Sequence, residues 1–134
     1  MFEGECFCGV IGYRIDGALI EPRSCHCSRC RKVFSGSGSA YAEVTAGTFS
    51  WARGEPALKI FGDTAGFAVG FCSHCGSTLC GLFNGTIHGI TLGTLNGDPP
   101  LTIEKHLFVA SKATWDIIGG DAPRYSGALP SKGT

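Results

Sequence analysis

Short runs of alternating apolar and polar residues recur along this chain, broken every few positions by glycine or another turn former. A period of two predicts strands. Residues 4–8 and 10–15 predict two short strands that turn at Cys8-Gly9. Residues 39–45 alternate as S-A-Y-A-E-V-T. Residues 57–61 and 67–71 predict two more strands, separated by Gly62-Asp63-Thr64-Ala65-Gly66. Residues 78–83 and 86–92 flank Asn84-Gly85, a hairpin signal because both turn positions favour positive φ. A last strand is expected within 101–109, after the turn-rich Asn96-Gly97-Asp98-Pro99-Pro100. Helix signals are weak, and one short helix is expected from Ser28 through Arg29, Arg31 and Lys32. From Gly119 onward the chain reads as an irregular tail carrying Pro123 and Pro130, packed by Trp115, Ile117, Ile118 and Tyr125. No internal repeat or low-complexity linker appears. The expected fold class is mainly β, with small antiparallel sheets and little helix, in a single domain over residues 1–134.

Composition narrows the function classes. A chain of 134 residues suits one domain and can bury a core without covalent staples. Its 21 glycines suit many tight turns. Eleven basic residues balance eleven acidic ones, so no net charge draws the protein to nucleic acid or an anionic membrane. The start, Met1-Phe2-Glu3-Gly4-Glu5, has no basic segment leading into an apolar one, so no signal peptide is expected. The longest apolar stretch, near residues 67–72, is far too short to span a bilayer. A cytoplasmic location is therefore expected, where thiols stay reduced and close cysteines serve metals or catalysis.

Seven of the eight cysteines fall into three clusters. Cys6-Phe7-Cys8-Gly9 comes first, then Cys25-His26-Cys27-Ser28-Arg29-Cys30, then Cys72-Ser73-His74-Cys75-Gly76. Disulfides fit poorly: Cys6 and Cys8 are too close to bridge comfortably, and three thiols in six residues would need distant partners. Cys72-x-x-Cys75-Gly76 is a knuckle spacing, in which two thiolates reach one metal across a tight turn. A glycine after the second cysteine allows the positive φ that aims amide groups at the sulfurs. Cys6-x-Cys8-Gly9 offers a second pair on the same logic. Two pairs make a closed tetrahedral thiolate zinc site, which stabilises a fold. Cys25, Cys27 and Cys30 can wrap one zinc from a single loop and leave a position open, the arrangement of a site that does chemistry. Cys80, His26, His74, His88 and His106 are the candidate fourth ligands. Spacing alone leaves open which clusters share a metal. Arg29, Arg31 and Lys32 either bind a substrate carboxylate or form a solvated face, and Ser28 and Ser77 either donate to sulfurs or complete turns.

At these residues the sequence resembles the glutathione-dependent formaldehyde-activating enzyme family, which includes centromere protein V. The resemblance rests on C-F-C-G at 6–9, C-H-C-S-R-C-R at 25–31 and F-C-S-H-C-G-S at 71–77. It continues through H-L-F-V-A-S-K-A-T-W at 106–115 and a tail with Asp121, Pro123 and Tyr125. It implies a β-tent of small sheets stapled by zinc, with two zinc ions per chain. Cys6, Cys8, Cys72 and Cys75 would hold a structural zinc. Cys25, Cys27 and Cys30 would hold a second, substrate-facing zinc and form the catalytic site. The implied activity is that of a carbon–sulfur lyase acting on S-hydroxymethylglutathione, the adduct of glutathione and formaldehyde. The implied partner is a small thiol such as glutathione, with neither nucleic acid nor membrane. The alternative is a non-catalytic zinc protein that binds glutathione, another thiol or a protein partner. Thiol–disulfide exchange through Cys72 and Cys75 fits less well, because that motif does not open a helix in a βαβ pattern.

Overall fold

A computed structural model describes residues 1–63 and 65–128. Thr64 and Pro130, named above in a turn and in the tail, lie outside the described residues. The chain divides into two compact units, one of residues 1–20 and 41–101, the other of 21–40 and 102 onward. The mainly-β architecture expected from the sequence is present, and among the described residues there is one α-helix.

The larger unit holds two groups of antiparallel strands. β1 (Phe2–Glu5) pairs with β2 (Gly12–Ile15), and β2 pairs with β5 (Phe49–Arg53). In β2, Tyr13 and Ile15 point inward while Arg14 is exposed, the alternation of a half-buried strand. β4 (Tyr41–Val44), β6 (Leu58–Gly62), β7 (Phe67–Cys72), β8 (Thr78–Phe83) and β9 (Thr86–Thr91) form a run in the order β4-β9-β8-β7-β6. β8 is buried from Leu79 through Leu82, as befits a central strand covered on both faces. One core joins the two groups: Ile11, Tyr13 and Ile15 pack in the same cluster as Leu79, Leu82 and Ile90. Cys6, Cys72 and Cys80 belong to that core, so two of the expected metal ligands are rooted in the best-packed part of the unit.

The hairpin between β8 and β9 turns at Asn84 (φ 51°) and Gly85 (φ 75°), the two positive angles of a type I′ turn. β1 stops at Glu5, short of the expected strand over 4–8. The chain turns there instead, with the Gly9 amide donating to the Cys6 carbonyl at 3.0 Å.

The smaller unit contains most of β3 (Leu19–Cys25), which runs parallel to β10 (Lys105–Leu107) with His106 opposite Ser24 and Leu107 opposite Cys25. β10 is three residues long rather than the nine allowed for, because 101–104 follow the turn-rich break without pairing as strand. Cys27 caps the N-terminus of α1 (Ser28–Phe34), and Ser35, at φ 54°, ends it in the left-handed conformation. The tail returns to β10: the His106 amide donates to Pro123, and the Tyr125 amide to His106. Ile118 is buried and Tyr125 half-buried, but Trp115 and Ile117 are exposed, at 70% and 92%. The expected packing of all four residues is therefore corrected for those two. Backbone hydrogen bonds, the Arg124 guanidinium on the Ile118 carbonyl and the buried Ile118 side chain hold the segment.

Candidate metal centres and their surroundings

In the larger unit, the sulfurs of Cys6, Cys8, Cys72 and Cys75 all lie within 4.8 Å of one another, a group able to hold a metal ion. Cys6 and Cys8 sulfurs are 3.6 Å apart, and those of Cys8 and Cys72 are 3.8 Å apart. Four sulfurs placed tetrahedrally around a zinc at about 2.3 Å would be separated by about 3.8 Å, so the donor set and spacing fit that ion. Each knuckle turns as the sequence predicts. Gly9 and Gly76 have φ of 80° and 81°, and the Gly76 amide donates to the Cys72 carbonyl at 2.8 Å. The turns deliver amides to sulfur: Ile11 donates to Cys6 and His74 to Cys72, each at 3.3 Å. Ser77 joins the two knuckles. Its hydroxyl oxygen accepts from the Phe7 amide at 2.9 Å and lies 3.3 Å from the Cys75 sulfur.

The thiols of this group pull one another in opposite directions. The Ser77 hydroxyl and amide, with the Cys8 amide, bring Cys75 down to about 5. Burial opposes ionisation of Cys6, but the Ile11 amide and the thiols of Cys8 and Cys72 outweigh it and lower its pKa, with Cys75 opposing them. The Val10 amide favours the Cys8 thiolate, yet burial and the thiols of Cys6, Cys75 and Cys72 push it up to about 12. Four sulfurs this close cannot all carry charge without a cation among them, the electrostatic condition for a metal site.

In the smaller unit, Cys25, Cys27 and Cys30 bring their sulfurs within 4.8 Å of one another, and among the described residues no fourth Cys, His, Asp or Glu joins them. The loop is fixed by backbone. The His26 amide donates to the Leu107 carbonyl at 2.9 Å, and the Cys25 amide to the Ser39 hydroxyl at 3.0 Å. The Cys30 amide donates to the Cys27 sulfur at 3.3 Å, so the first turn of α1 sets the Cys27–Cys30 spacing. A hydrogen bond from Cys30 brings Cys25 down to about 6 against its burial, helped by Cys27 and His26, while Cys30 is raised by Cys25.

The candidate fourth ligands have other surroundings. His26 is buried, and its Nε2 lies 2.9 Å from Nδ1 of His106. His26 Nδ1 has no hydrogen-bond partner and sits 3.9 Å from Asp116. Burial, then the His26 and Arg124 charges, lower the His106 pKa, with Asp116 opposing them. His74 is exposed on the Cys72 knuckle. Cys80 is 1% exposed inside β8, and burial pushes its thiol up to about 12. His88 meets Tyr41 and Glu43. The His26–His106 pair, 80 positions apart, carries no local sequence signal. Arg31 reaches from α1 to donate to the Ser111 carbonyl at 3.1 Å, whereas Arg29 and Lys32 are exposed. Ser28 begins α1.

Fold and site together define a mainly-β protein with one four-thiol and one three-thiol group, each able to hold a metal. The family model described as glutathione-dependent formaldehyde-activating enzyme matches residues 1–111, and the chain belongs to that family. A Rhodobacter sphaeroides protein, whose crystal structure was solved as a structural-genomics target, shares the fold. It superposes with a TM-score of 0.59 at 22% identity, over 91% of this chain and 98% of that one. No curated protein matches the chain.

Proposed function

We propose that this protein is a zinc-dependent carbon–sulfur lyase that joins and separates a small thiol, glutathione in the first instance, and formaldehyde. In the joining direction the thiol sulfur bonds to the aldehyde carbon, and the thiol proton ends on the former carbonyl oxygen. The reverse reaction returns both reactants. The observation that carries this reading is the three-thiol group of Cys25, Cys27 and Cys30, with no fourth ligand among the described residues, in a chain of this family. Zinc held there would supply a position that favours the ionised form of a substrate thiol. Cys6, Cys8, Cys72 and Cys75 would hold a second, structural zinc.

The residues around the triplet favour rigidity. Ser39 and the Leu107 carbonyl fix the backbone at Cys25 and His26, and the α1 cap engages the Cys27 sulfur. A free thiol with pKa about 8.5 is only a few per cent ionised at pH 7, so full ionisation gains about 30-fold, or ~2 kcal/mol. Any larger acceleration has to come from placing the aldehyde beside the sulfur. The family match runs through both compact units, which supports treating residues 1–134 as one functional domain. The thiol clusters suit a reducing compartment, and we place the protein in the cytoplasm. No helix among the described residues is long and apolar enough to cross a membrane.

A second reading has one observation in its favour. Phe67 and Phe83 are register partners on β7 and β8, each 52% exposed, and Phe61 on β6 is 74% exposed. Such a patch suits a module that holds a protein partner. The deciding experiment is native mass spectrometry of anaerobically purified protein with and without glutathione, beside NMR exchange rates for glutathione and labelled formaldehyde. Two zincs, a glutathione adduct and faster exchange are expected, with adduct and exchange both lost in Cys27→Ala. An adduct without faster exchange would leave a thiol carrier. No adduct at any glutathione concentration would leave a structural or protein-binding role.

A further inference from the structure

One edge of the sheet in the larger unit is left unpaired. β6 ends the run β4-β9-β8-β7-β6, and among the described residues no strand lies on its other side. Lys59, Ile60, Phe61 and Gly62 are all exposed, so that edge is open to solvent. Edge strands are ordinarily blunted by charges, proline or a bulge. This one carries Lys59 beside Ile60 and Phe61, with no proline and no shift in its register on β7.

The register fixes which backbone groups face outward. The Ser73 amide donates to the Ala57 carbonyl at 2.9 Å, and the Asp63 amide to the Phe67 carbonyl at 3.3 Å. Both bonds keep the register that pairs Leu58 with Cys72 and Gly62 with Ala68. Bonded and unbonded residues alternate along an antiparallel ladder. Lys59 and Phe61 therefore turn their amides and carbonyls to β7, while Leu58, Ile60 and Gly62 turn theirs to the open side. Gly62 has a φ of 133°, but its amide lies in the peptide plane shared with Phe61 and follows the strand. The Leu58 amide is already taken by the Glu55 carbonyl. The open edge thus offers an acceptor at Leu58, a donor and an acceptor at Ile60, and a donor at Gly62.

That set is complementary to itself. Place two copies of β6 antiparallel about a two-fold axis at Ile60. Each Ile60 amide then donates to the other Ile60 carbonyl, and each Gly62 amide to the Leu58 carbonyl of the second copy. The bond this register forgoes is the one from the Leu58 amide, which needs no partner. Side chains agree with backbone. Lys59 falls opposite Phe61 of the second copy, an ammonium beside a ring, with Asp63 following at the strand end. Phe61 shares its sheet face with Phe67 and Phe83, so pairing extends an aromatic face already half-exposed. We propose that β6 joins two copies of this chain by antiparallel strand pairing centred on Ile60. The interface lies within the larger unit and does not depend on the reaction assigned to the triplet.

The test is sedimentation velocity of metal-loaded, reduced protein from about 1 to 500 μM. The contact is short, so half-association is expected at roughly 10–100 μM. Ile60→Pro removes an outward amide and no bond to β7. It should leave circular dichroism and metal content unchanged and weaken association about tenfold or more. Amide exchange gives a second readout on the wild-type protein: Ile60 and Gly62 should slow about tenfold on concentration, while Phe61, already bonded to β7, should not. In a mixture of isotope-labelled and unlabelled copies, Lys59 Hα should contact Phe61 Hα across the axis. A monomer at every concentration would overturn the proposal, as would wild-type association in Ile60→Pro or a dimer protected elsewhere. A chain that stays monomeric while an alternating Thr-Val peptide protects the Ile60 amide would overturn it in favour of a peptide partner. If the variant does not fold, exchange and the labelled mixture decide on the wild-type protein.

Discussion

Buried side chains that depend on one partner set the residue-scale consequences. His26 is buried with one ring nitrogen on His106 and the other without a partner, so His106→Ala would strip its only hydrogen-bonded ring atom. Leaving a buried polar group unsatisfied costs about 1–3 kcal/mol, and urea unfolding should show a loss of that size. Gly81→Ala should cost about as much by overpacking, because its Cβ would sit 2.9 Å from Phe67 and 2.5 Å from the Tyr41 hydroxyl oxygen. Cys80 makes a prediction with a sign. Its native pKa is raised by burial from 9.0 to about 12, so the buried thiol resists ionisation. Its contribution to stability is intact below pH 9 and is lost as pH climbs from 9 towards 12, where the unfolded chain ionises first. Iodoacetamide at pH 8 should therefore leave Cys80 unmodified in the native protein and label it in urea, as read by mass spectrometry. The burial of Cys80 was legible in its place within an apolar strand. The pairing of His26 with His106 was not, because a contact across 80 residues leaves no periodicity to read.

Turns and strands fared differently at the scale of the element. The β8–β9 hairpin was legible because Asn84-Gly85 encodes its own backbone angles, and the knuckles because cysteine spacing and a following glycine are local devices. β3 and β5 were not anticipated. Pro22, Glu21 and Arg23 make β3 read as a loop, yet it pairs with β10, and the Pro22 carbonyl accepts from the Glu104 amide at 2.7 Å. β5 is five residues, Phe-Ser-Trp-Ala-Arg, whose alternation is too brief to stand out. Its place is decided by pairing with β2 and by the Tyr13–Phe49 stack at 5.4 Å. The knuckles carry the element-scale prediction. Stripping metal with a chelator should speed amide exchange at Ile11, His74 and Gly76, where backbone groups face the sulfurs or close the turns. The β8–β9 hairpin, held by its own ladder, should keep its protection longer. Equal loss in both places would show that the metal supports the whole unit rather than the two turns.

On the scale of the whole molecule, each compact unit contains one complete thiol group: the tetrad in residues 1–20 and 41–101, the triplet in 21–40. Metal content should therefore fall in steps. Cys27→Ala should lose one of two metals with little change in melting temperature, whereas Cys75→Ala should lose the other and melt substantially lower. Elemental analysis with thermal melts checks both. Simultaneous loss of both metals in either variant would remove the independence of the sites.

The strand-rich class, the hairpin, the short helix after Cys27 and the three cysteine clusters are written in the order of residues alone. All of these are local: a period of two, a pair of turn residues, or ligands a few positions apart. That order leaves open which clusters share an ion. Folding brings the sulfurs of Cys8 and Cys72, 64 positions apart, to 3.8 Å. Folding also leaves Trp115 and Ile117 exposed and brings Tyr41 and Glu43 to His88. Such placements depend on strand order and register, which set distant residues side by side, and no stretch of sequence carries that information alone.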